Sequence, residues 1–468
     1  MASDRAEPGS FRDRQNRVFY RDGGVFRYLS AQAASEWQAL AATRFFKRRM
    51  AEGSLVETHA VEAFDPLAVE GGRWSALLRH DTIPLISYPY EWPFGMLKDA
   101  ALLSLALLEE ALDEGMILKD ASAYNVQWSG ARPVFIDLPS FERLKPGAPW
   151  AGYLQFCRMF LYPLMLQAYK DVPFQPWLRG QLDGIEPTHF ARLMSLRDRL
   201  RPGVMTHVVL HSKLQATYSA QSGDMRQSLK TAGFNRDLIQ ANVRGLRRRV
   251  DGLTWGAAKS EWSDYAGQNS YEVADREAKV AFVRTAVQSR RWTRVWDLGC
   301  NTGDYARIAA ENAAYVVAMD ADPLCIERLY LKLRAEGNRT ILPLVMNLVD
   351  ASPGLGWRGK ERRTLLERGR PDLVLCLALI HHIVLRAHVP LAEFVEALAG
   401  LGAALVIEFV TKEDPMARRL LQNKQDDDAD YDLPHFEKYL GERFQIDRRQ
   451  PLASGTRTLY FATPRKPG

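Results

Sequence analysis

VWDLGCNTGDYARIAAENAAYVVAMDADP, residues 295–323, decides the reading of this chain. Val295 and Trp296 open a short apolar strand that runs into Asp297, then into a turn bracketed by Gly299 and Gly303, then into a helix. A second apolar strand, Tyr315 to Met319, ends on Asp320. That order places a nucleotide-type ligand across the carboxyl edge of a parallel sheet. The two glycines let the backbone take unusual torsions and approach the ligand where a side chain would intrude. Asp297 supplies an acceptor for a cationic amino group, and Asp320 stands where one carboxylate can accept both hydroxyls of a ribose.

The turn is GCNTG and not the GxGxxG of dinucleotide enzymes, which argues for a ligand without a pyrophosphate. DLGCNTG, followed by an acid closing the next strand, resembles motifs I and II of the class I S-adenosylmethionine-dependent methyltransferases. The resemblance covers roughly the last two hundred residues. It implies S-adenosyl-L-methionine as cofactor, held by Asp297, Gly299, Asn301, Gly303, Asp320 and Ala321, with Asn347, Leu348 and Ala378 from later strand ends.

Working outward, strand and helix alternate from about residue 270. Strands are expected near 293–298, 315–320, 341–346, 372–377, 403–410, 443–448 and 457–463. Seven strands with the last two close together match the methyltransferase sheet, whose final hairpin brings in one antiparallel strand. Past the third strand, the resemblance gives Asn347 the exocyclic amine of adenine and Leu348 the ring face, although an Asn there also serves as a loop cap. The fourth strand opens into Ala378-Leu379-Ile380-His381-His382 and not into the (D/N)PP(Y/F) of enzymes that methylate exocyclic amines. One of His381 and His382 is a candidate general base for an oxygen nucleophile. The alternative is a helix-start histidine that satisfies backbone groups. Glu408, near the end of the fifth strand, and Lys412, Glu413 and Asp414 beyond it are further candidates for substrate binding. Trp262, Ser263, Asp264, Tyr265 and Tyr271 precede the first helix, where they either cover the cofactor's methionine part or simply pack.

The N-terminal half carries a second constellation. Asp120 and Asn125 are followed at twelve residues by Asp137 in Phe135-Ile136-Asp137. This spacing resembles the catalytic loop and metal-binding acid of protein-kinase-like and aminoglycoside-phosphotransferase-like folds, which implies Mg-ATP with Asn125 and Asp137 on the metal. Departures are plain: Leu118-Lys119 precedes Asp120, Leu-Pro follows Asp137, and the strand that should carry a phosphate-binding lysine offers Arg27. Turn-capping by the same residues explains the pattern equally.

The expected fold class is α/β: a seven-stranded Rossmann-like methyltransferase domain at the C-terminus, preceded by an α+β kinase-like and helical N-terminal region. The boundaries drawn are 1–15 disordered, 16–250 kinase-like and helical, 251–270 linker and cofactor-covering segment, and 271–468 methyltransferase domain. Within the N-terminal part, 17–29 reads as a hairpin through Asp22-Gly23-Gly24, 31–52 and 96–114 as helices, and 117–141 as two short strands around Ser129-Gly130. Residues 150–250 read as helical with breaks at Pro163, Pro173, Pro176, Pro187 and Pro202.

Bulk properties exclude several classes. At 468 residues the chain is too long for one core. A net charge of +6 does not imply a nucleic-acid partner, and Arg244, Arg247, Arg248 and Arg249 read as a solvated helix face before they read as a nucleic-acid or membrane patch. Four cysteines without CxxC spacing give neither a disulfide framework nor a zinc site, which suits a reducing cytoplasm. The stretch Tyr153 to Tyr169 contains Arg158 and Pro163, so it reads as buried helices and not a membrane span. The oligomeric state is not readable.

The expected function is transfer of the cofactor's methyl group to an oxygen of a small molecule or glycan. The alternative is a kinase-like phosphotransferase or binding protein with a cofactor-sensing methyltransferase-like module. An RNA-directed enzyme is a third reading, marked by affinity that falls steeply with salt. Rhizobial host-specific nodulation proteins have a similar two-part organisation.

Overall fold

The structure is a computed structural model that describes residues 5–62, 64, 73–210, 235–257, 259–260, 273–422 and 429–465. The aromatic segment at Trp262 to Tyr271 and the acidic run Asp426 to Asp428 lie outside the described residues. Two compact units emerge. One takes in Met1–Trp128, Pro133–Ala257 and Gly356–Glu361, the other Ser129–Arg132, Ala258–Leu355 and Arg362–Gly468.

In the first unit, β1 (Arg5–Ala6), β2 (Asn16–Arg21), β3 (Gly24–Leu29), β4 (Thr58–Ala60) and β5 (Ala76–His80) form an antiparallel sheet of order β1-β2-β3-β5-β4. The β2–β3 hairpin turns on Asp22 and Gly23 at φ +49° and +76°. Two positive torsions match the right-handed twist of the flanking strands, which is why Asp-Gly suits a two-residue hairpin loop. Phe19, Tyr28, Trp74 and Leu77 pack on one face of this sheet.

Residues 5–15, expected to be without order, are ordered: Arg5 and Ala6 pair with Tyr20 and Phe19, and Ser10 Oγ accepts the Val18 N–H at 2.8 Å. Their polar composition hid this, because edge-strand pairing uses backbone groups and needs few apolar side chains. The expected helix at 31–52 is two helices, Ala31–Ala42 and Arg44–Ala51. Between them the extended Thr43 ends one, through its N–H to Leu40 O, and caps the next, through Oγ1 to the Phe46 N–H.

The helix Phe94–Asp113 buries Leu105, Leu107 and Leu108 completely. After it, β6 (Met116–Leu118) pairs with β9 (Phe141–Arg143), and β7 (Val126–Ser129) with β8 (Arg132–Phe135). Pro163 does not break its helix. It sits just inside Tyr162–Lys170, after a π-helical stretch at Cys157–Leu161 that loosens the turn where proline has no N–H to give.

In the second unit, β10 (Trp292–Leu298), β11 (Ala313–Asp320), β12 (Ile341–Val345), β13 (Leu373–Cys376), β14 (Ala404–Val410), β15 (Phe444–Pro451) and β16 (Arg457–Pro464) form a seven-stranded sheet of order β12-β11-β10-β13-β14-β16-β15 among the described residues. The pairs from β12 to β14 are parallel, and β16 runs antiparallel to both β14 and β15. The chain leaves β10 towards β11 and β12, then returns to place β13 on the other side. That reversal opens a crevice at the carboxyl ends of β10 and β13, the usual ligand position in open α/β sheets. The last two strands pair as a hairpin, so the edge next to β14 is antiparallel, as expected from the sequence.

Candidate functional site

The crevice begins with the turn after β10. Gly299 N–H and Cys300 N–H both donate to Met319 O, at 2.8 and 3.0 Å, and Gly303 N–H closes the turn on Cys300 O at 2.8 Å. Gly299, Asn301 and Gly303 all have left-handed torsions, at +73°, +48° and +83°. The two glycines serve different contacts. A Cβ on Gly299 would lie 3.1 Å from Leu379, on the far side of the crevice, whereas a Cβ on Gly303 would lie 2.6 Å from Leu329 in the helix Pro323–Ala335. Gly303 therefore permits helix packing against the turn, a role distinct from the ligand approach expected of it.

Asp320 ends β11 and is aimed by backbone: Oδ2 accepts Asn301 N–H at 2.8 Å and Oδ1 accepts Asp322 N–H at 2.9 Å. Each carboxylate oxygen keeps capacity for a further donor, as a sugar diol requires. Burial raises the Asp320 carboxyl, and the backbone N–H groups of Asp322, Asn301 and Ala321 oppose that rise. Ala321, next in the chain, is exposed at the rim.

Asp297 is 2% exposed, and its Oδ2 has no hydrogen-bond partner among the described residues. Its carboxyl is pushed up to about 7, first by burial and then by Asp320, against the Ala306 N–H and Lys279. A buried acceptor left bare is costly unless something donates to it, and a cationic amine satisfies it best. Orphaned Asp297, diol-ready Asp320 and the glycine turn together fit S-adenosyl-L-methionine.

The remaining predicted cofactor residues are placed as follows. Asn347 follows β12 and is exposed. Its Oδ1 accepts the Val349 N–H at 3.2 Å and caps the short turn Leu348–Asp350, the alternative role the sequence had left open; Leu348 is half-buried. Ala378, past β13, has a left-handed φ of +49° and donates its N–H to Glu408 Oε2 at 2.7 Å. The two histidines separate. His381 is fully buried, both ring nitrogens lack partners among the described residues, and burial, then His382, Arg457 and Lys279, hold its pKa well below the usual imidazole value. Such a ring does not meet an acceptor, so His381 drops out as a base. His382, whose ring lies 4.1 Å from that of His381, is partly exposed.

Glu408 and Asp414, expected at a substrate surface, are buried in an ion network. Lys279 Nζ lies 2.5 Å from Glu408 Oε2, Arg457 Nη1 lies 3.4 Å from Glu408 Oε1, and Arg457 grips Asp414 with two bonds of 2.7 and 3.0 Å. Lys279 and Arg457 were missed in the sequence. The signal was Glu408 itself: a carboxylate inside ALVIEFV, all of whose positions are buried, requires cations nearby.

In the first unit, Asp120, Asn125 and Asp137 do meet. Asn125 Nδ2 donates to Asp120 O at 3.2 Å and to Ser140 Oγ at 3.1 Å, and Ser140 Oγ bonds Asp137. Arg27 Nη1 lies 2.6 Å from Asp137 Oδ1 and 2.8 Å from Asn16 Oδ1. Burial pushes the Asp137 carboxyl up, but Arg27 and Ser140 outweigh it and hold it below the carboxylate range. A guanidinium thus already balances Asp137, and no group of three or more ligating side chains suited to a metal occurs among the described residues. Mg-ATP, expected on Asn125 and Asp137, is therefore not supported. The arginine-rich helix Arg236–Asp251 spends Arg244 and Arg247 on Glu109, at 2.8 and 3.1 Å. No described helix is long and apolar enough to cross a membrane.

The sheet order and the bare Asp297 carboxylate now stand beside the comparisons. Nodulation protein NoeA of Rhizobium meliloti (strain 1021) is 34% identical over 454 residues, which cover 97% of this chain and 94% of the relative. The chain belongs to the NoeA family. No protein-family model matches it. Among solved structures, the N-methyltransferase NodS from Bradyrhizobium japonicum WM9 is 13% identical, covering 42% of this chain and 99% of its own, with a TM-score of 0.31. Magnesium protoporphyrin IX methyltransferase from Synechocystis PCC 6803, solved with S-adenosylhomocysteine, is 17% identical, covering 44% and 92%, with a TM-score of 0.31. In this NoeA-family chain, the unit that contains β10 to β16 has the class I methyltransferase strand order.

Proposed function

We propose that this chain is an S-adenosylmethionine-dependent methyltransferase whose acceptor is an oxygen of a small molecule or glycan, and that it serves nodulation as its relative's name states. The observation that carries the reading is the bare Oδ2 of buried Asp297 beside an Asp320 pre-aimed by two backbone amides. When bound, the cofactor supplies an electrophilic methyl group on a sulfonium.

The chain's own residues then have defined tasks. Asp297 takes the amino group, Asp320 the ribose hydroxyls, and Leu348 the adenine face, with Asn347 at its edge. The Ala378 turn and Leu379 form the apolar wall at the reacting end. Little else is required than alignment and exclusion of water, since the displacement is in-line. An oxygen acceptor must also lose its proton, and His382 is the half-exposed imidazole placed past β13 to receive it. The absence of a (D/N)PP(Y/F) run after β13 supports oxygen over an exocyclic amine.

The phosphotransferase alternative loses its support where Arg27 covers Asp137. The N-terminal unit is assigned to selecting or presenting the acceptor. Incubating an extract with the protein and deuteriomethyl-labelled cofactor, followed by mass spectrometry, tests the reading. A labelled product that Asp320→Ala fails to make supports it, and an extract without any label transfer overturns it.

A further inference from the structure

The ion network around Glu408 has no direct part in the cofactor contacts described above. It is wholly interior: Glu408 is 0% exposed, Arg457 and Asp414 3% each, and Lys279 6%. Burying charges costs free energy that a pair of apolar side chains would not, so such a network is weak evidence for stability. Its geometry points elsewhere. Glu408 Oε2 is shared between Lys279 Nζ at 2.5 Å and the backbone N–H of Ala378 at 2.7 Å. Ala378 is held there in a left-handed torsion that alanine seldom adopts. One residue on, Leu379 meets the face of Gly299.

Lys279 reaches the opposite wall. Its ammonium lies 5.3 Å from the centre of the Tyr305 ring, in the helix that follows the glycine turn, and its charge acts on Asp297. Behind Glu408, Arg457 is fixed by Asp414, which also accepts from Thr456 and Met416.

We propose that Lys279 and Glu408 are positioning residues for the cofactor: their buried ion pair fixes the Ala378 turn on one wall of the crevice and, through Lys279, meets the Tyr305 ring on the other. The proposal rests on the methyltransferase reading and deepens it. Support of this kind lets a binding group hold its place without touching the ligand itself.

The groups that interact electrostatically with Asp297 include Asp320 on β11, Asp304 and Tyr305 on the following helix, Lys279 on the preceding one, and the Cys300 and Cys376 thiols. Of these, Lys279 is the cation. Removing it therefore makes Asp297 harder to ionise, and a cationic ligand binds the ionised form.

The experiment is calorimetric titration of the full chain with S-adenosylhomocysteine across mildly acidic to mildly alkaline pH, with folding checked by circular dichroism. The variants are Glu408→Gln, Lys279→Met and Lys279→Arg. Expected are at least about tenfold weaker binding in Glu408→Gln, an acid limb moved to higher pH in Lys279→Met, and its return in Lys279→Arg. A merely structural lysine would leave the acid limb where it is. Lys279→Met decides the matter if Glu408→Gln does not fold. An unmoved limb in Lys279→Met, or unchanged affinity in folded Glu408→Gln, overturns the positioning role while the parent still binds. A parent that binds nothing overturns the methyltransferase reading and this role with it.

Discussion

The backbone amide of Asn301 lies 2.8 Å from Asp320 Oδ2, so the glycine turn after β10 and the acid ending β11 hold each other in place. Asp320 thereby serves local structure, and on the proposed reading the ligand as well. Asp320→Ala strips a charged acceptor from the Asn301 and Asp322 amides, and the expected loss is about 1–3 kcal/mol of unfolding free energy. Cofactor affinity should fall further, by about a hundredfold or beyond detection, because the ribose loses its acceptor as the turn relaxes. Urea unfolding and calorimetric titration on the same preparation measure both. Lost stability with intact affinity would remove Asp320 from the ligand site.

Asp297 makes stability depend on pH. Burial lifts its carboxyl to about 7. The folded chain keeps a proton that the unfolded chain has already released, so the unfolded state binds fewer protons in that interval. Stability contributed by this group therefore declines as pH rises from the ordinary carboxylate range to about 7. Asp297→Asn should flatten that part of the melting-temperature profile. A cationic ligand favours the ionised form, so binding near neutral pH should release a proton. Titrations in two buffers of different ionisation enthalpy would reveal it, and identical apparent enthalpies would contradict the prediction.

The crevice after β10 was legible because the residues that form it are local in sequence. A strand, a glycine turn and an acid one strand later must lie together in any parallel sheet, so Asp297, Gly299 and Asp320 could be placed without coordinates. Most of the seven strands were legible for a related reason: β11, β12, β13 and β14 are apolar runs closed by turn residues, and β13 and β14 are buried throughout. What escaped detection is set by long-range contact. Lys279 and Arg457 stand 129 and 49 residues from Glu408, and neither carries a local sign of its partner. The separation of His381 from His382 likewise depends on how the helical turn after β13 rotates. Pro163 was misread because a neighbouring π-helical stretch absorbs its missing donor.

Gly303 offers a test of packing at the site. Its φ of +83° strains any L side chain, and an added Cβ would approach Leu329 to 2.6 Å. Gly303→Ala is expected to cost about 1–3 kcal/mol from the two effects together. In a Leu329→Ala background the steric part disappears and the torsional part remains, so the same substitution should cost less there. A double-mutant cycle from urea unfolding gives the coupling directly. Purely additive effects would show that the helix Pro323–Ala335 does not press on the turn.

The Arg27–Asp137 pair predicts how the N-terminal unit responds to acid and to metal. Asp137 sits below the carboxylate range: burial pushes it up, but Arg27 and Ser140 more than offset that. A depressed carboxyl contributes stability at pH above its unfolded value, and that contribution disappears as pH falls through its folded value. Acid unfolding should therefore be shallower in Asp137→Asn than in the parent. Arg27→Met leaves a carboxylate without its cation. With the Asp137 side chain 28% exposed, the expected loss lies toward the lower end of the roughly 3–5 kcal/mol typical of a broken buried pair. Arg27→Met combined with Asp137→Leu should recover part of that loss, since neither partner of the pair then carries a charge. Because the guanidinium already balances the acid, millimolar magnesium with ATP should leave the parent's melting temperature unchanged. A metal-dependent rise that Asp137→Asn abolishes would instead mean that Arg27 yields its place to the ion.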